Sequence, residues 1–180
     1  MIYIGPIDQE SKQRSNSSAT FPPKESCGIG PMNSSVAKDW SLHTQLAHDT
    51  VTVGDFPLAR VLLVNDANYP WLILVPRLPG LVELIDLEEN AQVQLLGEIT
   101  AAAHALKSAT QCDKPNIATL GNQVPQLHVH VIARRQTDAA WPRPVWGMKP
   151  PLRYKEGQQA ILPNSLRELL KPCRLVGMDR

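Results

Sequence analysis

From Gln126 to Val131 polar and apolar residues alternate: Gln126-Leu127-His128-Val129-His130-Val131, followed by Ile132. Side chains along a β-strand point to opposite faces with a period of two. Gln126, His128 and His130 therefore share one face, and Leu127, Val129 and Val131 the other. No other short stretch constrains the fold as much. It demands a strand whose apolar face is covered by something and whose opposite face carries two imidazoles and an amide. Two adjacent histidines are costly in an apolar core, because each ring has two nitrogens that need partners or water.

The rest of the chain supplies the cover. Asp86 and Glu89 form a capping-box-like pair ahead of a long helical pattern. Within it, Leu96, Ile99, Ala103 and Leu106 recur at helical spacing, and the stretch AAAHAL favours helix by propensity. His104 in this helix reads as a surface or packing residue. Thr50–Gly54 alternates as a strand does, and Ala59–Val64 and Trp71–Val75 are apolar runs of strand length. The turn formers of Asn65–Pro70 join the last two into a hairpin, and Asp66 and Asn68 read as part of that turn. Pro115–Leu120 and Gln126–Arg134 are two further strands linked through GNQVP. Short helices are expected at Trp40–Ala47 and Ser165–Lys171. The Pro- and Trp-rich stretch after Arg134 reads as irregular, with Trp141 and Trp146 lining a site, an interface or the core. Strands cluster instead of alternating with helices, which predicts an α+β fold with an antiparallel sheet.

Composition narrows the function. The 180 residues carry 18 Lys and Arg against 17 Asp and Glu, a net charge of +1. A broad nucleic-acid face would need a basic excess that this chain lacks. A phosphate ligand needs only a few local donors and stays open. Residues 1–36 are rich in Ser, Pro and Gly and read as a disordered tail, or as a start extended upstream of Met32. Residues 37–150 form the expected catalytic domain, and 151–180 a C-terminal extension with a short helix. Cys27, Cys112 and Cys173 are widely spaced and form no CxxC pair, as expected of reduced thiols in a cytoplasmic protein. No apolar run approaches the length of a bilayer span, and no signal peptide is expected.

Three readings fit His128 and His130. They sit on a solvated strand face, or they hold a metal, or one attacks phosphorus while the other assists. The metal reading is short of ligands. VIARRQ holds no Glu, no His follows His130, and only His43, His48 and His104 remain. A neutral imidazole whose second nitrogen is held by an acceptor is a competent nucleophile.

The segment QLHVHVIAR resembles the signature of the histidine triad (HIT) superfamily, His-φ-His-φ-His-φ-φ with φ apolar, often followed by Pro-Arg. His128 matches the middle histidine, His130 the third, Val131-Ile132 the apolar pair and Arg134 the trailing arginine. Gln126 stands where the first histidine is usual, and Ala133 where proline is common. The pattern is similar to a bacterial subgroup of HIT hydrolases with a Gln-x-His-x-His motif, resembling diadenosine tetraphosphate hydrolases. RVLLVNDANYPWLILVPR resembles the family's strand–turn–strand, with Asn65 at the ribose-contacting position. GNQVP resembles its phosphate loop. The likeness runs over roughly residues 48–147.

The resemblance implies a five-stranded antiparallel sheet with one long helix packed on it, and a homodimer. It implies attack by His128 on the α-phosphorus of a purine nucleoside phosphate derivative, a dinucleoside polyphosphate or a nucleoside phosphoramidate. A nucleotidyl-histidine forms, and water releases the monophosphate. His130 bonds the phosphate or the leaving oxygen, while Asn122 and Gln123 donate to phosphate. Gln126 keeps geometry but carries no titrating proton. No cofactor, metal, nucleic acid or membrane is implied. The rival expectation is a nucleotide-binding or sensing protein whose site no longer turns over.

Overall fold

The computed structural model describes residues 39–155 and 160–171. The expected tail at 1–36 lies outside them, as do Cys27 and Cys173. Five strands form one antiparallel sheet: β1 (Thr50–Asp55), β2 (Ala59–Val64), β3 (Trp71–Pro76), β4 (Lys114–Ala118) and β5 (Val129–Arg134), in the order β1-β2-β3-β5-β4. The helices are α1 (Thr44–Asp49), α2 (Glu89–Thr110) and α3 (Ile161–Leu170). This is the α+β architecture that the clustered strands predict. None of these helices is long and apolar enough to cross a membrane.

The two faces of the sheet are covered differently. On one, Val61, Leu63, Leu72, Leu74, Leu127, Val129 and Val131 pack under α2 in the main core. Burial of that many branched side chains is the largest favourable term in holding helix to sheet. The other face carries Leu62, Ile73 and Val75, covered by Trp40, Leu42 and Leu46 from α1 and the segment before it. Further along this face Ile132 packs with Tyr69, Ala140 and Val145. His130 lies between, paired in register with Ile73 on one side and Ala118 on the other.

Several boundaries differ from the sequence expectation. Asp86 does not cap α2. Its carboxylate accepts from the amides of Val82 and Glu83 and closes a 3-10 turn at Leu84–Asp86, and α2 begins at Glu89 behind an N-cap at Glu88. The buried stripe of α2 runs through Ala91, Leu95, Ile99, Ala102 and Leu106, whereas Leu96 faces solvent. Periodicity alone fits either rotation of the helix, because Leu95 and Leu96 are both apolar. Helix α1 starts at Thr44, where the His43 ring accepts from the Gln45 amide, so Trp40–Ser41 precede it.

Helix α3 starts four residues earlier than expected and packs on α2 and β1. A bulge between Thr52 and Gly54 breaks the β1–β2 register. The Arg167 guanidinium donates to the freed carbonyls of Val53 and Thr52, each at 2.9 Å. Bulges leave ladder groups unpaired, and here a cation on α3 takes them up.

Candidate active site

Strand β5 begins at Val129, so Gln126 and His128 lie just before the ladder and not inside it. His128 and His130 still share a face. Their rings meet edge to face with centroids 4.8 Å apart. Both are buried, at 7% and 6% exposure. Each has one nitrogen committed to a partner, and the two partners are of opposite kinds.

The Nδ1 of His128 lies 2.6 Å from the main-chain oxygen of Gln126. A carbonyl only accepts, so Nδ1 carries the hydrogen and Nε2 keeps its lone pair. The Nδ1 of His130 lies 3.0 Å from the indole Nε1 of Trp71. An indole N–H only donates, so this Nδ1 is bare and the hydrogen of the neutral ring sits on Nε2. The site thus sets a nucleophilic nitrogen beside a hydrogen-bond donor. Burial pushes the His130 imidazole down to about 4, and the charge of His128 acts in the same direction.

Aromatic rings enclose His130. Trp71 and Trp146 both meet it edge-on, at 5.2 and 5.4 Å between centroids, and meet each other at 5.4 Å. Trp146 arrives on the segment after β5, which Arg134 anchors. Arg134 is 1% exposed and makes a bidentate pair with Asp138 at 2.7 and 2.9 Å. Its remaining amino group donates to Asn116 on β4, and its guanidinium sits against the Trp141 ring. The hydrogen-bonded arginine holds the Asp138 carboxyl down at about 2. An open cleft of about 520 Å³ runs between β4 and Pro142, Pro144 and Trp146.

Gln126 is placed differently from an active-site amide. Its Nε2 donates to the Ser41 carbonyl and its Oε1 accepts from the His43 amide, both at 2.9 Å. The side chain therefore grips the main chain ahead of α1, while its own carbonyl holds His128. Its share in the site passes through that carbonyl.

The loop residues are less gathered. Asn122 and Gln123 are exposed on the loop leading to His128, and neither side chain makes a hydrogen bond among the described residues. Gly121 turns that loop with a φ of +66°, which costs glycine little. Val124 anchors it on the histidine face. Asn65 accepts from the Tyr154 amide at 3.4 Å and contacts neither histidine by hydrogen bond. Asp66 is buried and ties its turn to the C-terminal segment through Asn68 and the Leu152 amide. Among the described residues, no three His, Cys, Asp or Glu side chains gather as a metal site. Trp71 is the site residue that sequence reasoning missed. Its one available signal was a tryptophan opening a strand beside the histidine strand.

Comparison with known proteins gives a consistent result. The HIT domain model matches residues 45–137. A histidine triad protein from Bradyrhizobium japonicum is 57% identical, with a TM-score of 0.70 over 72% of this chain and 96% of its own. A histidine triad protein from Marinobacter aquaeolei VT8 is 46% identical, with a TM-score of 0.72 over 76% and 98%. One from Sinorhizobium meliloti 1021 is 39% identical, with a TM-score of 0.71 over 73% and 98%. No curated protein matches. The match over 45–137, on a fold that presents His128 and His130 side by side at the start of β5, means that the chain belongs to the HIT domain, or histidine triad, family.

Proposed function

We propose that the protein hydrolyses or transfers nucleotidyl groups at the α-phosphorus of a purine nucleoside phosphate derivative. A dinucleoside polyphosphate and a nucleoside phosphoramidate are the candidate substrates. The observation that carries this reading is the opposed protonation of the two rings. Among the described residues no hydrogen bond engages either Nε2, so the His128 lone pair can attack and the His130 Nε2–H can donate.

In the proposed first step, the His128 Nε2 attacks phosphorus and the bond to the leaving group breaks. The new nucleotidyl-imidazolium keeps its Nδ1–H on the Gln126 carbonyl, which favours the positive ring. His130 donates to a phosphoryl oxygen, where charge builds in the transition state. Water then attacks phosphorus and loses a proton to solvent, while the P–N bond breaks and its electron pair returns to His128 as a neutral Nδ1–H ring. We further propose a cytoplasmic homodimer that uses no cofactor. Asn65, Asn122 and Gln123 would contact the nucleotide once it is bound.

The test is to incubate wild-type protein and His128→Ala with diadenosine tetraphosphate, following AMP release and adenylylation of His128 by mass spectrometry. Loss of a nucleophile should lower the rate by several powers of ten, each about 1.4 kcal/mol of barrier. Binding of AMP without any turnover or adduct overturns the hydrolase reading in favour of a nucleotide sensor.

A further inference from the structure

Among the described residues, Trp71 contributes the only hydrogen bond on the Nδ1 of His130, and it contributes a donor. That choice limits what His130 can do. To act as a general acid, an imidazole must hold hydrogens on both nitrogens, so that losing one leaves a neutral ring. In His130 the second hydrogen would point at the indole N–H 3.0 Å away. Donor would face donor, in a buried setting with little water to repair the clash. A neutral ring that gives up its single Nε2 hydrogen would become an anion. His130 can therefore polarise a phosphate by hydrogen bonding but has no proton to hand on.

The neighbouring groups do not make up the lack. His128 spends its Nε2 on phosphorus and its Nδ1–H on the Gln126 carbonyl. Gln126 does not titrate, and both ends of its amide are taken by Ser41 and His43. The His43 ring accepts from the Gln45 amide through Nδ1, so a proton there would break the α1 cap. Across the strand His130 meets Ile73 and Ala118, which carry no charge, and the other rings on it are Trp71 and Trp146. Among the described residues, His128 is the titratable group whose charge acts on His130.

We propose that Trp71 is a positioning residue that keeps His130 a neutral donor, so that the site favours nucleotides whose leaving group departs without a proton. The inference rests on the hydrolase reading above and narrows its substrate. With a polyphosphate leaving group, the P–O bond breaks and the electron pair stays on oxygen as a stable anion. With a phosphoramidate, the P–N bond breaks and the pair must be met by a proton, which this site does not supply.

The test compares diadenosine tetraphosphate with adenosine 5′-phosphoramidate in wild-type protein and in Trp71→Phe, from pH 5 to 8. The ring nitrogens of His130 are read in parallel by ¹⁵N NMR on the free protein. In the wild type we expect His130 to be a neutral Nε2–H ring throughout, and the tetraphosphate to be preferred about 100-fold or more, the usual scale of general-acid assistance. Trp71→Phe keeps the aromatic wall but removes the N–H. Its His130 loses the donor that bars a hydrogen from Nδ1, so the doubly protonated ring should gain population over the wild type towards pH 5, and the preference should shrink as pH falls. A structural loss alone would lower both substrates together. The inference is overturned if His130 carries its hydrogen on Nδ1 or titrates in the wild type, or if the phosphoramidate is turned over as fast as the tetraphosphate. If neither compound reacts, the hydrolase reading falls and takes the leaving-group inference with it.

Discussion

Gln126 and His43 are 83 positions apart in sequence, yet the side-chain oxygen of one accepts the backbone hydrogen of the other at 2.9 Å. With the bond from the Gln126 amide to the Ser41 carbonyl, this forms a two-point clamp on a single extended segment. A carboxamide presents its donor and acceptor side by side, as a strand neighbour would. An imidazole presents them on divergent edges and cannot serve both partners. A carboxylate lacks the donor.

Gln126→Glu should therefore release the clamp at Ser41 while keeping the acceptor for His43. Gln126→Ala should release both. Each lost hydrogen bond should cost about 1 kcal/mol. Hydrogen exchange should show faster exchange at His43 and through α1, with β3 and β5 unchanged. Unaltered protection at His43 in Gln126→Ala would show that the clamp holds nothing.

Stability should depend on pH through His130. The unfolded imidazole takes up a proton near 6.5, and the folded one only near 4. Between those values the unfolded state binds more protons, so stability rises with pH across the window and levels off above it. The span corresponds to about 3 kcal/mol at most. Urea unfolding from pH 4 to 8 should show this rise, and His130→Gln should flatten it. An equal slope in the variant would place the proton elsewhere.

Asp138→Ala should be among the most destabilising substitutions outside the main core. It strands the Arg134 guanidinium, which is almost fully buried, without its bidentate partner. Breaking a buried pair from one side costs about 3 kcal/mol or more. Thermal unfolding measures the loss, and near-ultraviolet circular dichroism should show Trp146 losing its fixed environment. Loss of stability with an unchanged aromatic signal would separate the anchor from the tryptophan it delivers.

Glu98 is buried on α2, where its carboxylate oxygens accept from the amides of Leu58 and Ala59 at 2.8 Å each. Burial raises its pKa above the ordinary carboxylate value. Glu98→Gln can satisfy only one of these amides and turns a donor towards the other. A buried donor left unpaired costs about 1–3 kcal/mol. The urea midpoint should fall accordingly; an unchanged midpoint would mean that the β1–β2 turn moves to re-pair.

The sheet and its covered face were legible because period-two alternation and apolar runs report burial directly. Val129 and Val131 went under the helix and His130 to the opposite face, as the pattern requires. The rotation of α2 was not legible, since Leu95 and Leu96 differ only in what they meet in three dimensions. Asp86 sat at a plausible capping distance from Glu89, but a 3-10 turn one step earlier claimed its carboxylate. In the candidate site the two histidines were evident from spacing. The partners that set their protonation were not. Trp71 reaches His130 across 59 positions, and Gln126 reaches Ser41 across 85. Contacts at such separations leave no periodic trace.

All four tryptophans of the chain gather on the histidine side of the sheet. Trp40 covers Leu62 and Ile73, Trp71 and Trp146 touch His130, and Trp141 lies against Arg134. The main core beneath α2 contains none. Intrinsic fluorescence is thus a built-in optical probe of one face of this molecule. Emission changes will report occupancy and protonation next to the imidazoles, and will be nearly blind to loosening beneath the long helix.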